Sequence, residues 1–202
     1  LQFAEDNSFN SMKAHLYSAL GAIYESQSNY KKVLEFLQKA LEINKVLNDR
    51  FLEASILGNL GAIYQDLCQH EDALKSYEEA LRIVREIGYR RGEQINLGRL
   101  GAIYQDLCQH EEALKYHTEA LAITIEIGDR RGEGVHLGNI GNIYVDLCQY
   151  KDALKYIQQA LEIARECGDK RSVGGNLGNL GIIYNILGQM EESLKCSEES
   201  LN

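Results

Sequence analysis

Apolar side chains at Leu57, Leu60, Ile63, Tyr64 and Leu67, with Gly61 among them, recur three and four residues apart, the spacing of one helix face. After Cys68 and Gln69 a second stripe begins: His70, Ala73, Leu74, Tyr77, Ala80, Leu81 and Val84. The pattern predicts two helices, A and B, joined by short connections and therefore antiparallel. The pair returns at a 40-residue step. Gly21, Gly61, Gly101, Gly141 and Gly181 are each followed three residues later by Tyr24, Tyr64, Tyr104, Tyr144 and Tyr184. Such a period marks a stacked-repeat protein, in which each unit contacts its neighbours and the product is a long surface rather than a single reactive point. The fold class is all-α, with about five repeats of 40 residues over 12–49, 50–89, 90–129, 130–169 and 170–202.

Local chemistry supports the breaks between helices. The chain contains no proline, so every break must come from Gly, Asn, Asp or chain geometry. Gly88 is expected to close a B helix in the left-handed conformation. In the run GDRRGE, Asp129 directly follows Gly128 and is placed to cap the next A helix. Gly61, Ala73 and Ala80 are small where A and B meet, with Tyr64 and Tyr77 filling the space between them. The run GAIYQDLCQHE occurs verbatim at 61–71 and 101–111, while the outer units drift, with Ser28, Val33, Gly188, Ser193 and Ser200. Residues 1–11 read as the remnant of a preceding repeat or a linker, and 12–202 as the repeat domain. The first residue is Leu rather than Met, so the chain reads as a piece of a longer polypeptide.

Leu57, Leu60, Gly61 and Tyr64, followed by Ala73, Tyr77 and Ala80, resemble the tetratricopeptide repeat, with Leu57 where that pattern begins with Trp. Each unit is six residues longer than the usual 34, and the proline near the end of helix B is missing. The 40-residue variant, with LGN-LG and GDRRGE junctions, resembles the repeat regions of the Pins/LGN G-protein-signalling modulators, with kinesin light chain a looser relative. The resemblance covers about residues 12–202. It implies a right-handed α-α superhelix whose A helices line a concave groove that holds an extended segment of a partner protein.

On that reading the groove positions are the A-helix residues left over from the apolar stripe: Ser55, Gly58, Asn59, Ala62, Gln65 and Asp66 in the second repeat. Their counterparts include Ile95, Gly98, Arg99, Gln105 and Asp106, then Val135, Gly138, Asn139, Asn142, Val145 and Asp146, then Gly178, Asn179, Ile182, Asn185 and Ile186. Gly58, Gly98, Gly138 and Gly178 stand mid-helix, at about 1 kcal/mol each relative to Ala. Either a ligand approaches the bare backbone there, or successive repeats pack tightly. Asn59, Arg99, Asn139 and Asn179 form a ladder of one side chain per repeat. The asparagines can pair with peptide N–H and C=O groups, and Arg99 suits a carboxylate; the alternative is an ordinary wet wall. Asp66, Asp106 and Asp146, with Glu25 nearby, form a negative row that would attract basic residues, unless they are merely solvated charges near helix ends.

Composition narrows the function. A net charge of −9 argues against nucleic acid, whose phosphates need clustered Lys and Arg, and favours a partner segment containing basic residues. No apolar run approaches membrane-spanning length, and the acids in LQFAEDNSFN do not suit a signal peptide. Cys68, Cys108 and Cys148 repeat at one position, too far apart to be joined, and read as free thiols in a reducing, cytoplasmic setting. No CxxC pair accompanies them, so no metal or other cofactor is expected. No catalytic motif is present, and His70, His110 and His117 stand where other repeats carry Tyr, as packing residues. A carboxylate clamp of the chaperone-binding kind lacks its first lysine. The sequence therefore predicts a non-catalytic scaffold. Its alternatives are a spacer that self-associates through its terminal repeats, or the regulatory sensor arm of a larger signalling protein.

Overall fold

The computed structural model describes the backbone of residues 2–26 and 29–200, and their side chains apart from those of 2–8, 22, 25 and 26. The side chain of Glu25 and the whole of Ser28 lie outside what is described. Ten helices and no strand occur among those described: α1 (Gln2–Ser26), α2 (Tyr30–Leu47), α3 (Arg50–Asp66), α4 (His70–Glu86), α5 (Arg90–Asp106), α6 (His110–Ile127), α7 (Arg130–Asp146), α8 (Tyr150–Glu166), α9 (Lys170–Ile186) and α10 (Met190–Ser200). Odd-numbered helices are the A helices and even-numbered ones the B helices. The fold class is all-α, built of helix-turn-helix repeats. Helix α1 runs unbroken from Gln2 to Ser26, and nothing between Phe3 and Leu20 is a Gly or Pro that would stop it.

Two compact units divide the chain, Leu1–Asn96 and Leu97–Asn202, with the boundary inside α5. The first unit has a core of Ala14, Val33, Leu37, Ala40, Leu52, Ile56, Leu60 and Ile63. In the second, Ala153, Ile157, Leu161, Leu177, Leu180 and Ile183 form one cluster, and Leu137, Ala160 and Ile163 another. Each fully buried Leu or Ile contributes about 1.5–3 kcal/mol. The A helices bury residues on more than one face: α3 packs against both α2 and α4 and buries Leu52, Ala54, Ile56, Gly58, Leu60, Gly61 and Ile63. Leu67, counted above with the apolar stripe, instead caps the helix and is partly exposed, because α3 ends at Asp66.

The small residues act where A crosses B. A Cβ on Gly61 would stand 2.6 Å from the Tyr77 ring, and one on Gly141 would stand 2.5 Å from Ile157 Cγ1, so only glycine allows those side chains in. Asp49, Asp129 and Asp169 cap α3, α7 and α9, accepting from the backbone N–H of Leu52 (3.0 Å), Gly132 (2.9 Å) and Ser172 (3.2 Å). Tyr89 holds the matching place before α5, where its ring packs on Phe51. Gly88, Gly128 and Gly168 close the B helices at positive φ, and Asn48 does so after α2.

The A-to-B turn has a feature absent from the sequence reading. Cys68, Cys108 and Cys148 each adopt φ of 57°, the left-handed conformation that Gly188 takes at the same place in the last repeat. The N–H of Cys68 bonds to the carbonyl of Gln65 and that of Gln69 to the carbonyl of Tyr64. These two bonds satisfy carbonyls at the end of α3 in the manner of a Schellman turn. The cysteines thus hold the position helices ordinarily give to glycine, at about 1–2 kcal/mol each.

Candidate functional site: the A-helix wall

In the first unit α3 presents Ser55, Asn59 and Asp66 to solvent, with Ala62 and Gln65 half-buried beside them. Gly58 departs from the expected wall. It is buried, because the flanking helices leave α3 only a narrow open strip.

Within the second unit the wall is formed by α5 from Leu97 onward, α7 and α9. Arg99, Gln105, Asn139, Asn142 and Asn179 are half-buried, and Asp106, Asp146 and Asn185 are exposed. Neighbouring A helices are tied through these side chains. Gln105 Nε2 donates to Asp146 Oδ2 at 3.0 Å, and Asn179 Nδ2 donates to Asn142 Oδ1 at 2.7 Å. Asn142, Val145, Asp146, Asn179 and Ile182 together line a cavity of about 180 Å³. Ile182, in that lining, is 58% exposed, and Ile186 one turn on is also open to solvent, whereas Val135 lines a separate pocket with Ala160 and Ile163 of α8.

The glycine row divides. A Cβ on Gly98 would stand 2.8 Å from His136 Cε1, so glycine there makes room for a neighbouring helix. Gly138 has only ordinary contacts, with Asn176 Oδ1 at 3.5 Å, and around Gly178 the space is open to 4 Å. Tight packing accounts for the first, and open backbone remains at the last.

Sequence reasoning missed a pair of histidines. His117 of α6 and His136 of α7 are both buried, with their Nδ1 atoms 3.3 Å apart. One ring must donate and the other accept, so the two cannot both be charged. Burial pushes each pKa down to about 4, with the mutual repulsion of the two rings adding at His117 and Asp129 opposing it at His136. Gly101 leaves room for the His117 ring, 2.8 Å from where its Cβ would be. The available signal was joint: His117 in place of Tyr77, together with His136 in place of Ile56 and Asn96.

Among the described residues no group of three or more His, Cys, Asp or Glu is placed to hold a metal ion, and no helix is long and apolar enough to cross a membrane.

This geometry is that of a helical-hairpin repeat protein presenting a polar and apolar wall on its A helices. The tetratricopeptide repeat family model matches residues 12–86 and 93–166, and the chain belongs to that family. Among curated proteins no relative matches. Several solved structures share the fold. BtubC (BKLC) from P. vanneervenii is similar at a TM-score of 0.80 and 20% identity, over 99% of this chain and 90% of that one. The signal transduction ATPase PH0952 from Pyrococcus horikoshii, a protein with a tetratricopeptide repeat sensor, gives 0.86 and 24%, over 94% of this chain and 30% of that one. A Rap protein complexed with competence and sporulation factor gives 0.79 and 19%, over 94% of this chain and 53% of that one. The chain thus spans about half of the Rap protein and less of the ATPase.

Proposed function

We propose that this chain is a non-catalytic interaction scaffold whose A-helix wall holds an extended segment of a partner protein. The observation that carries the reading is the second unit's wall, where Asn142 and Asn179 line a cavity together with Val145, Asp146 and exposed Ile182, and Asn139 and Asn185 stand on the same two helices. Amide side chains offer donor and acceptor to a peptide backbone, and the apolar residues between them take its side chains. Arg99, Gln105, Asp106 and Asp146 set register and charge, with Gly98 and Gly138 beneath them and Gly178 leaving the backbone bare. Asn59, Gln65 and Asp66, with Gly58 behind them, form the matching strip in the first unit. The acids and the net charge of −9 favour a segment bearing basic residues. The likeness to a Rap protein solved with competence and sporulation factor supports ligand capture by such repeats. A cytoplasmic role in signalling of the Pins/LGN kind follows the sequence resemblance.

The test is an array of extended, lysine- and arginine-containing peptides, probed with the chain and with a variant carrying Asn139→Ala, Asn142→Ala and Asn179→Ala. Losing about three hydrogen bonds near 1 kcal/mol each should weaken the best binders roughly 100-fold. Undiminished binding would remove the wall from the reading.

A further inference from the structure

Two arginines on the B helices reach an acid on a following helix, and a third repeat lacks one. Arg85, at the end of α4, donates from Nε to Glu93 Oε1 at 2.8 Å, while Arg90 holds Glu93 Oε2 at 2.6 Å. Arg165, at the end of α8, pairs with Glu199. Forty residues from each stands Ile125 of α6, 59% exposed. The acid of the first pair persists as Glu133. Its Oε1 takes Arg130 at 2.8 Å, but Oε2 accepts no ion pair or hydrogen bond among the described residues.

Beside Ile125 lies a cleft of about 480 Å³ between α6, α7 and α8. Leu121, Ile125, Leu137 and Ile163 give it an apolar lining, and Glu133, Glu162, Arg130 and Lys155 a charged one. The cations of the rim are committed elsewhere. Arg130 binds both Glu133 and Glu166, and Lys155 lies over the Tyr156 ring, 5.7 Å from its centre. Glu162 makes no ion pair among the described residues. The site therefore sets apolar side chains beside an acid with one oxygen lacking a partner, where the equivalent acid Glu93 receives Arg85 from within the chain.

From this we infer that the α6–α8 cleft is a second docking site, which takes an arginine side chain of a partner protein. The alkyl stem lies along the apolar part of the lining and the guanidinium reaches Glu133 Oε2 and Glu162. Arginine suits the site better than lysine because its planar head presents several donors at once and is more weakly hydrated, so it leaves water more readily. The acidic chain as a whole draws a cationic partner toward it.

The experiment is an amide-resolved NMR titration of the whole chain with acetyl-Gly-Arg-Gly-amide, and separately with its lysine counterpart. The arginine peptide should shift resonances around Ile125, Glu133 and Tyr156 and should half-saturate at about tenfold lower concentration than the lysine peptide. Ile125→Arg fills the cleft from within and should abolish those shifts while leaving the chain at least as resistant to heat. Should that variant fold poorly, Glu133→Gln supplies the same test, with an expected loss of about tenfold in affinity. The Asn139, Asn142 and Asn179 alanine variant should bind the arginine peptide unchanged, which separates this site from the A-helix wall. Equal response to both peptides, or undiminished binding by Ile125→Arg or Glu133→Gln, overturns the inference.

Discussion

His117 occupies the place of Tyr77 and Ile157 in adjacent repeats, and the exchange alters the acid response of the second unit. Its pKa, like that of His136, is about 4 in the folded chain against 6.5 when exposed. Above pH 6.5 both states are neutral and the pair has no effect. As pH falls from 6.5 toward 4, the unfolded chain takes up protons that the folded chain refuses, so stability declines by roughly 3 kcal/mol per histidine. Melting temperature followed from pH 7.5 to 4.5 should therefore drop steeply through that window. Replacing both residues by the isoleucines found in sister repeats, His117→Ile with His136→Ile, should flatten the drop. An unchanged pH profile in the double variant would assign the acid loss to carboxylates instead.

At the scale of the element, the A-to-B turn gives a clear expectation. Cys68, Cys108 and Cys148 bear a left-handed backbone that Gly188 bears without penalty. Cys108→Gly should raise stability by about 1 kcal/mol, read as a shift in the urea midpoint at unchanged slope. Cys108→Ala should gain nothing. The same turn shows where sequence reading reaches its limit. Asp129 after Gly128 was legible as a cap because residue type and conformation point the same way. The helix pairing was legible from Gly61, Ala73 and Tyr77, whose sizes are complementary. Cysteine carries no such conformational signature, and only Gly188 in the equivalent slot hinted at the backbone. On the wall, the choice of asparagine at 139, 142 and 179 was readable, but the Asn142–Asn179 bond spans 37 residues and depends on how α7 and α9 lie together. Gly58 and Gly98 look alike in sequence; neighbouring helices alone make the first buried and place the second against an imidazole.

For the molecule as a whole, repeats share stability with their neighbours, and a helix that buries little shares in it least. Among the described residues α10 contains no buried side chain, and Met190 and Leu194 are open. Its amides should exchange with solvent faster than those of α8 or α9, as hydrogen exchange on a dilute sample would register. The same measurement across a concentration series tests whether copies stack end to end: protection of α10 that grows with concentration would favour the spacer reading. Family membership is established by the repeat itself, whereas the partner depends on side chains that vary from one repeat to the next.

The bonds from Gln105 to Asp146 and from Asn179 to Asn142 mean that part of the wall's hydrogen-bonding capacity is taken up within the chain. A greasy visitor that broke them without offering replacements would leave polar atoms stranded, at about 1–3 kcal/mol apiece. If the wall serves as proposed, such self-pairing would filter out indiscriminate adhesion and admit guests whose own backbone can take over each contact they interrupt.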